Sequence, residues 1–216
     1  DPSVALLFAG ELRHAWHPSF DYAAQIREHI IQPLLKQYEI AIFAAASNIT
    51  EVDEWQRFLE EAAASSPSIS IETGGPSPFA QSATRFARTR CPLPTCDAQF
   101  KQYSSLWSAF EMVKAHELRP GNRRFDHIIK ARNEFVYRDH DIIHPSLLAS
   151  LPHNTLAVPS VQFHACDRWL ERRPPKPGGG MWPSEMNDNI VVGSRDAIET
   201  FLRYLWATDR TLQSSR

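Results

Sequence analysis

Two short apolar runs separated by an amphipathic segment constrain the fold of this chain more than any other feature. Val4–Ala9 and Glu39–Ala45 are continuous apolar runs that are too short for a confident helix, which favours buried strands. Between them, Tyr22–Lys36 carries apolar residues at the i, i+4, i+5, i+8 and i+9 spacing of one helical face. Pro33 is expected to kink this helix or to end its regular part. A strand, a helix and a second strand in that order predict a parallel pair joined by a right-handed crossover, and so an α/β sheet.

The rest of the chain continues this alternation of helices and strands. We predict helices over Glu51–Ala64, with Thr50 as the N-cap, over Ala98–Leu118, and over Arg195–Thr208, with Ser194 as the N-cap. Further strands are predicted at Ser68–Glu72, Phe125–Ala131, Thr155–Val158, Val161–His164 and Ile190–Val192, and Glu134–Tyr137 either continues the second of these or forms a neighbour.

Proline defines the connections between these elements. The chain has 16 prolines against 8 glycines, and the prolines concentrate in residues 67–94 and 145–183. Residues 73–98 and most of 138–185 are therefore expected to be long Pro-rich loops. The sequence predicts one domain over residues 1–216, with a Rossmann-like, mostly parallel central sheet flanked by helices.

Composition excludes two classes of partner. The 23 basic and 25 acidic residues give a net charge of −2, which supplies no electrostatic footprint for nucleic acid. No stretch approaches the roughly 18 uninterrupted apolar residues of a membrane span, so we expect none in this fragment.

Residues at the ends of two predicted strands are candidates for ligand binding. Gly10 ends the first strand, where a glycine lets backbone amides approach a phosphate, and Arg13 follows it with a side chain that can grip phosphate bidentately. Arg132 and Glu134 end the central strand, where open α/β sheets place their ligands. A surface ion pair is the alternative for this second pair.

Three aspartates are candidates for metal binding and proton transfer. Asp139 and Asp141, at i and i+2, can both reach a divalent cation that bridges a diphosphate, although a solvated turn would also explain them. Asp188 directly precedes the last strand, where a carboxylate serves as a general base or a sugar-hydroxyl acceptor, or belongs to an ordinary strand-entry turn.

The order of several segments resembles that of a known family. These segments are Ala5–Arg13, His29–Leu34, Ile40–Phe43, Phe100–Trp107, Phe125–Glu134 and Asn187–Arg195. Their order and spacing are similar to those of a family of nucleotide-sugar glycosyltransferases with a GT-A-like fold, over about residues 4–205.

The resemblance implies an enzyme of the hexosyltransferase type that transfers a sugar from a nucleotide-diphosphate donor to a glycan or other hydroxyl acceptor. Gly10 and Arg13 would face the donor phosphates, and Asp188 would be the catalytic base or an acceptor ligand.

The resemblance also implies a divalent cation, Mn²⁺ or Mg²⁺, that neutralises the leaving diphosphate. The family usually has Arg-x-Arg-Pro-Asp at the central strand, whereas this chain has Lys130-Ala-Arg132-Asn-Glu134. The metal ligands are therefore expected among Glu134, Asp139 and Asp141, with the two aspartates able to take over the task of the family's Asp.

Two other functions fit the sequence: a non-catalytic domain that binds a nucleotide sugar or carbohydrate, and an interaction scaffold that uses the Trp-bearing and Pro-rich loops. The compartment stays open. Asn48-Ile49-Thr50 is a glycosylation acceptor triplet that suits a secretory or Golgi lumen, while an odd count of three cysteines suits the reducing cytoplasm equally well.

Overall fold

A mostly parallel sheet forms the centre of the molecule. The computed structural model describes residues 1–12, 20–64, 66–78, 81, 94–132, 143–157 and 190–203. Within these residues, six strands form one sheet in the spatial order β3-β2-β1-β4-β6-β5. β1 to β4 are parallel, and β6 is antiparallel to both β4 and β5. The strands are β1 Ser3–Gly10, β2 Glu39–Ala46, β3 Ser70–Gly74, β4 His127–Ala131, β5 Leu156–Ala157 and β6 Ile190–Ser194.

Helices cover both faces of the sheet, as predicted. They are α1 Tyr22–Ile26, a π-helical turn Arg27–Ile31, α2 Gln32–Leu34, a 3₁₀ turn Ile49–Glu51, α3 Val52–Ala62, α4 Pro94–Glu117, α5 Pro145–Ser150 and α6 over residues 195–203. None of the helices in the described ranges is both long and apolar enough to cross a membrane.

Strand alternation divides the core into two layers. Leu6 and Ile42 face one side of the sheet, where α1 to α3 bury Trp55 and Phe58 among other residues. Leu7 and Phe43 face the other side and pack against α4 and α6. Because both faces are covered, β1 from Val4 to Ala9 and β2 from Ile40 to Ala46 are continuously apolar rather than alternating.

Pro33 breaks the regular helix between β1 and β2, as its chemistry requires. A proline has no N–H to donate, and its ring would collide with the carbonyl four residues earlier in an α-helix. The chain widens into the π-helical turn instead, and the N–H of Gln32 donates to the carbonyl of Arg27. The regular helix therefore ends at Ile26, and a single α-helical turn follows.

The start of α3 corrects the predicted cap. Thr50 is not the N-cap, because Asn48 precedes the 3₁₀ turn and its Oδ1 accepts a hydrogen bond from the N–H of Thr50 at 3.3 Å. The other predicted cap is confirmed, since Ser194 Oγ accepts from the N–H of Ala197 at 3.2 Å.

Several boundaries differ from prediction, among them the start of β4 at His127 rather than Phe125. β3 begins at Ser70, two residues late, and α4 begins at Pro94, so the end of the predicted 73–98 loop is helical. α5 lies in the segment predicted to be loop, and β5 begins at Leu156 rather than Thr155. The predicted strands Glu134–Tyr137 and Val161–His164 lie outside the described residues.

A buried cation ties α4 to α6. The side chain of Arg195 is 7% exposed, and its Nε and Nη2 donate to Glu117 at 3.1 and 3.0 Å, with a further ion pair to Glu199. Burial alone would lower the pKa of Arg195, but hydrogen bonds to Glu117 and Glu199 outweigh it and raise the pKa. Arg195 thus stays charged and joins the two helices on this face.

Candidate functional site

The strand order reverses between β1 and β4, which marks the place where this class of sheet binds ligands. β2 and β3 follow β1 on one side, whereas β4 returns to its other side. The helices before β2 and β3 cover one face, and α4, the helix before β4, covers the opposite face. The connections therefore diverge outside the carboxyl ends of β1 and β4, which is where open α/β sheets of this kind have a ligand crevice.

Gly10 lies at that crevice as the last residue of β1. Its φ of +111° is a backbone conformation that L side chains rarely adopt, and no heavy atom lies within 4 Å of the position of an added Cβ. Its carbonyl accepts hydrogen bonds from Trp55 Nε1 at 3.2 Å and from the N–H of Ser47 at 3.1 Å. These two donors fix the turn of the chain as it leaves β1. Sequence reasoning did not single out Trp55, because its partner is 45 residues away.

Arg132 lies at the same edge, directly after the last residue of β4, and is half-buried. Two residues earlier, Lys130 is buried within the sheet, with Leu7 of β1 opposite it on one side and Val191 of β6 on the other. The Lys-x-Arg part of the central motif thus runs from the interior of the sheet to its edge.

The direction of β6 brings a third chain segment to this edge. Because β6 is antiparallel to β4, its first residue, Ile190, pairs with Ala131, the last residue of β4. Asp188 precedes Ile190 by two residues in the sequence, Arg13 follows Gly10 by three, and Glu134 follows Arg132 by two. The predicted site residues that lie outside the described residues are Arg13, Glu134, Asp139, Asp141 and Asp188.

Serine hydroxyls line the contact between α4 and the ends of β2 and β3. Ser47 Oγ lies 3.2 Å from Ser105 Oγ. One helical turn further, Ser108 Oγ accepts from the N–H of Ser77 at 2.9 Å and donates to the carbonyl of Ser104 at 2.8 Å. Sequence reasoning missed these serines, although their spacing of three and four residues along α4 marks one helical face.

The described part of the chain holds no cluster of three or more His, Cys, Asp or Glu side chains with metal-site geometry. The carboxylates predicted to hold a divalent cation are Glu134, Asp139 and Asp141, which are the oxygen ligands that Mg²⁺ and Mn²⁺ prefer. Arg132 is the last described residue before the segment that carries them, and Ile143 is the first described residue after it.

The fold and the residues at the carboxyl edge of the sheet together define the class of protein. It is an α/β protein with an open, mostly parallel sheet and a candidate ligand crevice at the switch point. No protein-family model matches the chain, and no curated protein matches it in sequence. Among solved structures it is similar to mouse xyloside xylosyltransferase 1 in the apo form, with a TM-score of 0.45 and 12% identity over 92% of this chain and 69% of that one. A similarity this low assigns neither a family nor an activity to the chain.

Proposed function

We propose that this chain is a glycosyltransferase that moves a sugar from a nucleotide-diphosphate donor to an acceptor hydroxyl. One observation carries the proposal: the ends of β1 and β4 and the beginning of β6 meet at one edge, at the switch point of the sheet. These three segments are far apart in the sequence, yet each contains a stretch that resembles nucleotide-sugar glycosyltransferases. Similar composition alone would not be expected to place these three segments side by side.

The donor diphosphate would bind between the ends of β1 and β4. The conformation of Gly10 leaves open space where other residues carry a Cβ, so the backbone after β1 can approach an anion closely. Arg13 and Arg132 would supply guanidinium groups, which bind phosphate oxygens through paired hydrogen bonds and stay charged at any physiological pH.

Asp188 would act on the acceptor. As a catalytic base, its carboxylate takes the proton of the acceptor hydroxyl while the hydroxyl oxygen bonds to the sugar carbon and the bond from that carbon to the diphosphate breaks. As an acceptor ligand, it would orient that hydroxyl. The negative charge that develops on the leaving diphosphate is stabilised by Arg13 and Arg132.

A divalent cation, Mn²⁺ or Mg²⁺, would add a further positive charge beside the leaving diphosphate. Glu134, Asp139 and Asp141 are the residues that we propose to hold it. Glu134 is one methylene longer than the family's Asp at this position, and Asp139 and Asp141 can replace it as ligands.

A second candidate function is non-catalytic binding of a nucleotide sugar. The central motif favours it, because Lys130, Asn133 and Glu134 all differ from the Arg-x-Arg-Pro-Asp pattern. A domain that only binds a donor would keep the arginine after β4 and would not need the family's carboxylate.

A donor screen followed by a transfer assay separates these functions. We expect a nucleoside diphosphate sugar to raise the unfolding midpoint, more strongly with Mn²⁺ present, since only ligands that bind the folded state do so. The wild-type chain should then transfer or hydrolyse that donor, while Asp188→Asn should fold and bind it without turnover. Donor binding without turnover in the wild type would favour the non-catalytic alternative, and no midpoint shift with any donor would contradict both.

A further inference from the structure

One acceptor triplet for N-linked glycosylation occurs in the 216 residues: Asn48-Ile49-Thr50. Its middle residue and the residue that follows it are not proline, so nothing in the triplet blocks recognition. The triplet is short enough to occur by chance, and its meaning depends on where the fold places it.

The fold places the triplet on the surface at the end of a buried strand. Ala46, the last residue of β2, is fully buried, whereas Asn48, Ile49 and Thr50 are all exposed, with Ile49 70% exposed. A large polar substituent on Asn48 would therefore extend into solvent without displacing any part of the core.

The oxygen and the nitrogen of the Asn48 side-chain amide have different roles in this conformation. Its Oδ1 accepts the hydrogen bond from the N–H of Thr50, while the backbone of Asn48 is extended at φ −132° and ψ 141°. A glycan attaches to Nδ2, so its addition leaves the oxygen and the cap of the 3₁₀ turn unchanged. The modified and unmodified chains can thus share one fold.

We infer that Asn48 carries an N-linked glycan and that the chain accordingly passes through the lumen of the secretory pathway. In the transfer, Asn48 Nδ2 bonds to the first sugar carbon of a lipid-diphosphate-linked oligosaccharide. The bond from that carbon to the diphosphate breaks, the lipid diphosphate leaves with the electron pair, and Nδ2 loses one proton.

The glycan and the candidate crevice lie at the same edge of the sheet but on different sides of β1. Ala46 pairs with Gly10, and Asn48 follows Ala46 by two residues, so the glycan stands at the carboxyl edge of the sheet on the β2 side of β1. The switch point lies on the β4 side of β1. The glycan would therefore lie on the opposite side of β1 from β4.

The test is the mass of one peptide from the protein as its own organism makes it. Cleavage after Lys36 and Arg57 releases residues 37–57, in which Asn48 is the one asparagine. Enzymatic removal of an N-glycan converts the linked asparagine to aspartate, and we expect this conversion in the peptide after treatment and the glycan-bearing mass before it. An unmodified peptide in both samples would overturn the inference.

Three variants of the full chain, secreted from eukaryotic cells, distinguish loss of the acceptor triplet from loss of the hydrogen bond that caps the 3₁₀ turn. Asn48→Asp keeps a side-chain oxygen for the cap, and Thr50→Ala keeps the backbone N–H that donates to it. Both should fold normally and lose the glycan, while Thr50→Ser should keep it. The assignment would be contradicted if Thr50→Ser lost the glycan or if Thr50→Ala kept it. None of these readouts depends on donor binding, so the inference stands or falls separately from the proposed function.

Discussion

The two ends of the parallel strands are lined by different chemistry. At the amino end, ion pairs and charge-assisted hydrogen bonds join segments that are distant in sequence: Asp126 accepts from both the N–H and the Oγ of Ser3, at 2.8 and 3.2 Å. Further pairs at this end are Arg123 with Glu39, Arg124 with Asp196, and Arg195 with Glu117. At the carboxyl end, the described residues that close the strands include Gly10, Ala46 and Gly74, followed by Ser47 and Arg132.

This difference separates the part of the molecule that stabilises the fold from the part that is available for binding. The charged side chains of the amino end pair with one another and with backbone groups, and these contacts join β1, β4, α4 and α6. At the carboxyl end, Gly10 leaves open space beside the backbone, and the strand ends begin the loops that carry the predicted site residues. Substitutions at the two ends should therefore change different properties.

The largest effect is expected at the buried ion pair of the amino end. Arg195→Met removes the cation and leaves the carboxylate of Glu117, whose side chain is 10% exposed, without its main partner. Breaking a buried pair in this way costs about 3–5 kcal/mol, which chemical denaturation would measure. Arg203→Gln is the matched control, since Arg203 pairs with Glu199 but is 69% exposed, and it should cost at most about 1 kcal/mol. Equal losses in both variants would contradict the role of Arg195.

A pair of glycines tests the carboxyl end. Gly10 and Gly121 both have positive φ, +111° and +85°, and neither has a heavy atom within 4 Å of an added Cβ. Alanine at either position should cost about 1–3 kcal/mol of stability through backbone strain alone. Only Gly10→Ala should also weaken nucleotide binding, because Gly121 lies beyond the end of α4. Equal nucleotide affinity in the two variants would remove Gly10 from the donor site.

A smaller, pH-dependent effect is expected where α4 is tied to the edge strand β3. Burial would raise the pKa of Glu72, but hydrogen bonds from Arg119 and His116 outweigh it and lower the pKa below its ordinary value. A lowered carboxyl pKa contributes stability above the unfolded value of about 4.3, and this stability is lost as the pH falls through the folded value.

Glu72→Gln should therefore lower the free energy of unfolding at pH 7 by about 1 kcal/mol or less and flatten its decrease in acid. Unfolding curves recorded between pH 7 and pH 3 measure both effects. The exposed Glu60→Gln serves as the control, and an unchanged acid limb in Glu72→Gln would refute the prediction.

Much of the fold could be predicted because its signals are local. The apolar runs of β1 and β2, the helical periodicity before β2 and the Ser194 cap all depend on residues near one another in the sequence. The errors are of two kinds. α5 has only six residues, too few for a periodicity, although Pro145 in its first turn is a helix-start signal. Thr50 was predicted as the cap, but it lies within the 3₁₀ turn Ile49–Glu51, and Asn48, which precedes this turn, caps it.

Long-range features of the site could not be predicted in the same way. A last apolar strand was expected at Ile190–Val192, but its direction depends on the long connection before it, and that direction brings Ile190 beside Ala131. The hydrogen bond from Trp55 to Gly10 likewise exists only once β1 and α3 are in place. Arg132 was predicted from the rule that ligands bind at the carboxyl ends of strands, and Gly10 from the access that a glycine gives an anion to backbone amides; the structure places Gly10 at the end of β1 and Arg132 directly after β4.

The most direct test of the central claim compares two arginines at opposite ends of β4. Arg132 follows β4 at the carboxyl edge, and Arg123 precedes it at the amino edge, where it pairs with Glu39. The nucleoside diphosphate of the best donor is titrated into each protein in a calorimeter at fixed salt. This gives its Kd for the wild type, Arg132→Gln and Arg123→Gln. Loss of a bidentate phosphate contact should weaken binding about tenfold or more in Arg132→Gln and leave Arg123→Gln unchanged. Equal affinity in all three proteins, or a loss confined to Arg123→Gln, would contradict a donor site at the switch point.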